Sequence, residues 1–236
     1  MPRNISISAF FPCYNDGGTI ASMVIGTFVT LEDITDDYEV IVIDDGSTDF
    51  SREILKRLAK DYPRLRLVFH EKNRGYGGAL KSGFASATKD YIFYTDGDAQ
   101  YDVRELKRLT SALNSDVDVV QGYKIKRLDP WYRTVIGKTY QYSMKRLFGL
   151  KIRDVDCDFR LIRRTVFDRV CLERTSGVIC LEMIKKIQDA GFKFAEVPVN
   201  HFFRAYGRSQ FFNFKRVFRV GMDVMALWRE LVWRKG

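Results

Sequence analysis

The sequence predicts an α/β fold: a mostly parallel sheet flanked by helices. Three observations carry that prediction. Short apolar runs alternate with helix-like segments through the first 120 residues, the order of repeated βαβ units. Two acidic clusters, Asp44-Asp45-Gly46-Ser47-Thr48-Asp49 and Asp96-Gly97-Asp98-Ala99-Gln100, each follow such a run, Val40-Ile41-Val42-Ile43 and Tyr91-Ile92-Phe93-Tyr94. At 236 residues and 46% hydrophobic composition, the chain is long enough to bury one full core.

The elements follow in order. Ile5 to Phe11 reads as a strand, Pro12 to Gly18 as a loop and Thr19 to Leu31 as a helix. Glu39 to Ile43 is a second strand, and Ser47 or Thr48 stands where it would cap a helix over 50–62. Arg66 to His70 is a third strand, followed by a helix over 78–88. Tyr91 to Thr95 makes a fourth strand, Arg104 to Leu113 a helix and Asp118 to Tyr123 another strand. After residue 123 the pattern changes. Residues 128–150 are basic and aromatic with an irregular apolar face, 178–190 looks helical, and 194–199 strand-like.

The last segment carries the clearest helical periodicity. Phe214, Val217, Phe218, Gly221, Val224, Met225, Trp228, Leu231 and Val232 recur at three and four residues, with Lys and Arg on the other faces. A basic amphipathic helix with tryptophans toward its end is the pattern of a membrane interface. The competing reading is a helix packed on its own domain. No repeat or linker appears, so residues 1–210 read as one domain, with 1–123 and 124–210 as its halves, and 211–236 as the terminal helix.

Charge divides the chain. Residues 1–120 carry 14 Lys and Arg against 19 Asp and Glu, whereas residues 121–236 carry 25 against 11. An acidic half suited to a cation is joined to a basic half suited to an anionic partner. Cys13, Cys157, Cys171 and Cys180 have no paired spacing, and with His70 and His201 they form no recognised zinc pattern. They read as free thiols of a reducing compartment. The N-terminus runs straight into a strand-like segment without a secretion signal, and no apolar stretch reaches the roughly 20 residues of a spanning helix. The expected location is therefore cytoplasmic, peripheral on the cytoplasmic face of the membrane.

Carboxylates at the carboxyl ends of parallel strands sit where open α/β sheets bind ligands. Asp96 and Asp98, with Gln100 as a further oxygen ligand, suit Mg²⁺ or Mn²⁺ shared with the phosphates of a substrate. In the first cluster Ser47, Thr48 and Asp49 read as turn and cap residues. One of the two leading aspartates, with Asp45 favoured, is placed to accept from a base N–H while the other orients the loop. After the first strand, Pro12 fixes a turn, Tyr14 is placed to stack on a base and Asp16 to accept from the nucleoside; a plain connecting loop is the alternative. Asn73-Arg74-Gly75-Tyr76-Gly77-Gly78 reads equally as an anion cradle or a turn.

The order Pro-x-Tyr-Asn, Asp-Asp-Gly-Ser-Thr-Asp, Asn-x-Gly-x-Gly and Asp-x-Asp-x-Gln resembles family 2 glycosyltransferases of the GT-A fold. Arg204-Ala205-Tyr206-Gly207-Arg208-Ser209 narrows this, being similar to the Arg-x-x-Gly-x-Ser element of polyprenyl-phosphate glycosyltransferases, the dolichol-phosphate mannosyltransferase-like group. The resemblance implies a UDP- or GDP-sugar donor. It implies metal on Asp96, Asp98 and Gln100, and nucleoside on Pro12, Tyr14, Asp16 and Asp45. It also implies acceptor phosphate held by Arg204 and Ser209, helped by Lys124, Arg133 or Arg208. The expected reaction is inverting transfer of the sugar to polyprenyl phosphate, with Asp96, Asp98 and Arg204 central. An anionic membrane surface is the expected partner, with a membrane protein or a second copy as further candidates. Asp154-Val155-Asp156-Cys157-Asp158-Phe159 departs from the Asp-x-x-Ser-Gly-Phe usual in mannosyl enzymes and looks closer to glucosyl-type ones.

Asp156, Asp158 and Glu182 stand either as sugar or acceptor contacts or as partners of Arg153, Arg160 and Arg163. A hydroxyl acceptor on a glycan would need Asp158 or Glu182 as base. A nucleotidyltransferase would share the nucleotide site, and the acidic first half argues against a nucleic-acid-binding module.

Overall fold

The structure, a computed structural model, describes residues 5–127, 131–204, 206 and 214–233; side chains are described for all of these except 126, 127, 131–136, 138 and 214–217. One sheet of seven strands runs through it: β1 (Ile7–Cys13), β2 (Tyr38–Asp44), β3 (Leu65–Phe69), β4 (Tyr91–Thr95), β5 (Val119–Arg127), β6 (Phe159–Arg163) and β7 (Phe194–His201). Their spatial order is β3-β2-β1-β4-β6-β5-β7. The pairs β3-β2, β2-β1, β1-β4 and β5-β7 are parallel, and β6 is antiparallel to both its neighbours. The helices are α1 (Ile20–Glu32), α2 (Ser51–Asp61), α3 (Tyr76–Ser86), α4 (Leu106–Ser111), α5 (Trp131–Phe148), α6 (Ile179–Asp189) and α7 (Phe214–Trp228).

Every residue of β1 and β2 is buried. Such strands are covered on both faces, which is why they read as continuous apolar runs. Alternation sends Ile7, Ala9, Phe11, Val40 and Val42 into a core with Met23, Val24 and Phe28 of α1 and Leu106 and Leu109 of α4. Phe10, Ile41, Ile43, Ile92 and Tyr94 point the other way, onto Leu80 and Phe84 of α3 and Met183 and Ile187 of α6. Because β1 has β2 on one side and β4 on the other, the sheet order reverses there. The loops after β1, β2 and β4 therefore meet at one crevice, the usual ligand position of an open α/β sheet.

Three elements differ from the sequence reading. β6 carries no strand signal strong enough to stand out, because Phe159-Arg160-Leu161-Ile162-Arg163 is short and holds two arginines; it nevertheless fills the gap between β4 and β5. α5 is a continuous helix where the apolar pattern was irregular. α3 begins at Tyr76, since Gly75 at φ 80° closes the preceding turn in a conformation that favours glycine. The start of α2 is also held differently: Asp49, not Ser47 or Thr48, accepts from the Ser51 N–H at 3.0 Å and the Ser51 hydroxyl at 2.5 Å.

The terminal helix packs on its own domain through one face and leaves apolar side chains exposed on another. Val224 and Leu227 of α7 share a third core with Met144 and Phe148 of α5 and Leu181 and Ile184 of α6, and Trp228 Nε1 donates to the Leu147 carbonyl at 3.0 Å. On its other face Phe218, Met222 and Met225 are 73%, 58% and 57% exposed. Among the described residues no helix is long and apolar enough to cross a membrane.

The Phe10, Phe84 and Tyr94 rings pack within 5.0–5.5 Å of one another, and a Cβ on Gly83 of α3 would lie 2.3 Å from the Phe10 ring. Overpacking costs about 1–3 kcal/mol, and alanine returns at most about 1 kcal/mol of helix propensity. Gly83→Ala is expected to lower the urea unfolding midpoint; an unchanged or higher midpoint would refute this account of the packing.

Candidate active site

The crevice is built from loops knitted to one another. After β1, Asn15 adopts φ 58° and donates its N–H to Ser47 Oγ at 3.0 Å. Its side-chain oxygen accepts from the N–H groups of Thr48 and Asp49 at 2.8 and 3.2 Å. Asp49 Oδ2 accepts from the Gly17 N–H at 3.0 Å. The Ser47-Thr48-Asp49 segment thus serves the turn, and Asn15, whose role the sequence did not single out, is the clamp. Pro12 lies within β1, paired with Ile43, and its carbonyl stands 3.0 Å from where a Cβ on Gly97 would be, which keeps that position small. Tyr14 is exposed and available for stacking, and its N–H donates to Asp16 Oδ2 at 3.2 Å.

Asp44 and Asp45 diverge from the end of β2. Asp44 is fully buried; Oδ2 meets Arg52 Nε at 2.5 Å, while Oδ1 has no hydrogen-bond partner among the described residues. Asp45 turns to the opposite side of the sheet, where Oδ1 meets His70 Nδ1 at 2.6 Å and accepts from the Arg74 N–H at 2.8 Å. The glycine cluster is not an open cradle. Gly77 donates its N–H to the Thr175 carbonyl at 2.9 Å, and a Cβ on Gly75 or Gly77 would meet the 174–175 backbone at 2.7–2.8 Å. Those glycines are needed for close backbone approach.

Asp96 and Asp98 follow β4. Asp96 Oδ1 accepts from the Tyr76 hydroxyl at 2.8 Å. Burial, with Asp158 and Asp98 nearby, pushes the Asp96 carboxyl well above the usual range. Asp98 is buried; its Oδ1 accepts from the Gln100 N–H at 3.0 Å and its Oδ2 from Arg204 Nη2 at 2.5 Å. Burial raises the Asp98 pKa and Arg204 opposes the rise. Gln100 is engaged elsewhere through its amide nitrogen, which donates to the Phe202 carbonyl at 3.0 Å. Asp16 joins the group, with Arg204 Nη1 3.9 Å from its Oδ1; burial takes its pKa up to about 6, against the Tyr14 N–H, and Asp98 adds to the rise.

The second half of the chain supplies the positive charge. Arg204 arrives from the segment after β7, which Phe202 ties to the Gln100 carbonyl through its N–H at 2.8 Å. Lys124, expected at the acceptor phosphate, is held inside β5: its Nζ donates to the Asp156 carbonyl at 2.7 Å and lies 3.9 Å from Asp154 Oδ1. Asp158 pairs with Arg160 at 2.8 Å, and burial lifts its pKa to about 6. Arg160 itself is fully buried and also reaches the Tyr94 hydroxyl, the Val155 carbonyl and Gln121 Oε1. Glu182 accepts from the N–H groups of Glu173 and Arg174 at 3.0 and 2.9 Å and pairs with Lys186 at 2.7 Å. It anchors the 173–175 loop against the glycines. Arg208 and Ser209 lie outside the described residues, and the Arg133 side chain is likewise undescribed.

Sequence reading offered Arg160 as a partner for Asp158, and the structure pairs them, but it did not single out Tyr76 or His70. Tyr76 sat within the glycine cluster as a flanking residue, and no local signal marks His70, whose partners lie on other elements.

Among the described residues no three His, Cys, Asp or Glu side chains are grouped to hold an ion by themselves. What the crevice offers is a pair of carboxylates, Asp96 and Asp98, both raised in pKa by burial, with Asp158 and Asp98 adding to the rise at Asp96 and Arg204 opposing it at both. That donor set fits a hard cation that takes its other oxygens from water and a substrate phosphate. An anionic group bridging such a cation and the Arg204 guanidinium is the chemistry this arrangement can support.

A sequence profile described as Glycosyl transferase family 2 matches residues 8–171, well over half the chain. Among solved structures, the chain is similar to glucosyl-3-phosphoglycerate synthase from Mycobacterium tuberculosis in complex with Mn²⁺, UDP and glucosyl-3-phosphoglycerate. That match has a TM-score of 0.72 and 18% identity over 96% of this chain and 80% of the other. The same synthase with Mg²⁺ and UDP matches at TM-score 0.69 and 17% identity, covering 96% and 79%. A mycobacterial protein matches at TM-score 0.66 and 20% identity, covering 97% and 73%.

Because Asp16 has its folded pKa raised to about 6 from 3.8, the folded state binds the proton more tightly than the unfolded one. Its contribution is unfavourable once it ionises, so stability falls as pH rises from about 4 to 7. Asp16→Asn is expected to gain about 1–3 kcal/mol over the parent at pH 8, two pKa units being about 2.7 kcal/mol, and little at pH 4. Urea titrations at the two pH values measure this; equal gains at both would sink it.

Proposed function

The chain belongs to glycosyl transferase family 2, and from that premise we propose that it moves a sugar from a nucleotide diphosphate to polyprenyl phosphate at an anionic membrane surface. The donor would be a UDP- or GDP-sugar. Tyr14 would stack on the base and Asp45 accept from it, with Pro12 and Asp16 lining the nucleoside. Asp96 and Asp98 would hold Mg²⁺ or Mn²⁺, the ions bound with UDP by the similar mycobacterial synthase. When bound, the ion supplies neutralisation of the charge that grows on a departing diphosphate.

A phosphate acceptor is already ionised at neutral pH, so the protein has to position it and offset its charge. Arg204, which lies beside both Asp98 and Asp16, would do so, with Arg133, Arg208 and Ser209 as further candidates. Attack by a phosphate oxygen in line with the leaving diphosphate would invert the anomeric carbon. A hydroxyl acceptor would instead require a free carboxylate base. The two candidates for it are committed elsewhere: Asp158 to Arg160, and Glu182 to two backbone N–H groups and Lys186.

The observation that carries the lipid acceptor is the outer face of α7. Phe218, Met222, Met225 and, beyond the helix end, Trp233 leave a row of large apolar side chains exposed, with Arg219 and Arg229 beside them. In a half of the chain this basic, such a face suits an anionic bilayer surface.

Asp98→Ala is expected to lower turnover about 100-fold or more with Mg²⁺ or Mn²⁺ supplied, the scale of several kcal/mol of charge stabilisation. Short polyprenyl phosphates, phosphoglyceric acid and free saccharides, each offered with labelled UDP- and GDP-sugars, separate the acceptors. Label transferred only to phosphoglyceric acid or saccharide would reject the lipid reading. A Phe218→Ser/Met222→Ser/Met225→Ser variant should float less with anionic liposomes than the parent while keeping its unfolding midpoint. Flotation equal to the parent's would remove α7 from membrane binding.

A further inference from the structure

Asp45 belongs to a buried chain of three side chains. His70 follows β3 and is 3% exposed. Its Nδ1 lies 2.6 Å from Asp45 Oδ1 and its Nε2 lies 2.8 Å from Ser82 Oγ on α3. An ionised carboxylate only accepts, so the Asp45 contact puts a proton on Nδ1, while the Ser82 hydroxyl, able to donate or accept, holds Nε2. The Arg74 N–H donates to the same Asp45 oxygen at 2.8 Å. Oδ1 therefore takes two donors, and among the described residues none is placed on Oδ2.

We propose that His70 is a positioning residue for nucleotide recognition: with Ser82 behind it, it fixes Asp45 so that Oδ2 is presented to an N–H of the donor base. This rests on the reading of Asp45 as the base contact. The role is more than filling space. A carboxylate at a strand end can rotate about two side-chain bonds, and binding would have to stop that rotation each time. The imidazole stops it in advance, because its second nitrogen is held by α3 and the His70 backbone N–H, donated to the Asp44 carbonyl at 2.9 Å, fixes the residue beside the strand end. The bases that suit the arrangement present a ring N–H, as uracil, thymine and guanine do. Cytosine presents a bare ring nitrogen at the corresponding position and is expected to bind more weakly.

Calorimetric titration with UDP and GDP, using whichever binds the parent more tightly, tests this with four variants. Asp45→Asn should weaken binding. His70→Asn places an amide N–H where Nδ1 stood and should bind within about threefold of the parent. His70→Gln, whose amide lies beyond that position, should lose about tenfold, the upper end for one buried hydrogen bond. Ser82→Ala, a mild change that leaves the ring in place, should lose about threefold. Unfolding midpoints measured alongside separate general damage from a directed effect. If Asp45→Asn weakens binding while His70→Gln and Ser82→Ala bind like the parent, the positioning role is overturned. Equal losses in His70→Asn and His70→Gln would overturn it too. Unaltered binding in Asp45→Asn would remove the base reading itself, and this inference with it.

Discussion

Asp16, Asp96, Asp98 and Asp158 crowd the carboxyl end of the sheet, and the shortage of positive charge among them is the constraint the site answers. Burial, with nearby carboxylates adding to it, raises Asp16 and Asp158 to about 6 and Asp96 well beyond the usual carboxylate range. Partners arrive from three different parts of the chain. Tyr76 reaches Asp96 from the start of α3, Arg160 of β6 reaches Asp158 just before that strand, and Arg204 from beyond β7 reaches Asp98 and stands 3.9 Å from Asp16. The deficit that remains is what suits the crevice to a divalent cation and the phosphates it brings.

The partner with the largest structural role is Arg160. A fully buried guanidinium is costly unless its N–H groups are met. Here they meet Gln121 Oε1, the Tyr94 hydroxyl, Asp158 and the Val155 carbonyl, so β4, β5 and the loop before β6 converge on one side chain. Such a pair is weak evidence for stability, since an apolar replacement of similar volume often does as well. Its consequence is geometric. The Tyr94–Arg160 pairing of β4 with β6 sets Asp158 behind Asp96, next to the place where a donor phosphate is proposed to sit.

The first half of the chain was largely legible from its sequence. Strands buried on both faces appear as apolar runs, and Asp-Gly and Asn-Gly-type segments mark where they turn, so β1 to β5 and the acidic loops stood out. Legibility failed where a segment's state is set by distant partners. Phe159 to Arg163 looks too charged for an interior strand until Gln121 and Tyr94 are brought beside Arg160. Gly75 and Gly77 look like an anion cradle until the 174–175 backbone is found against them. Lys124 looks available for a phosphate until the Asp156 carbonyl takes its ammonium group.

The sequence by itself determined the α/β class, the position of Asp45, Asp96 and Asp98 at strand ends, and the amphipathic character of the last helix, because periodicity and turn chemistry act between near neighbours. Only the tertiary structure decided which charges meet. Arg204 lies 106 residues from Asp98 in the chain, and the two become neighbours because β6 is inserted antiparallel and the chain returns along β7 to the crevice. The tertiary structure likewise divided α7 into a face packed on α5 and α6 and a face left to solvent. Such pairings depend on strand order and helix docking, which are settled by closing the whole sheet and are written in no single stretch of it.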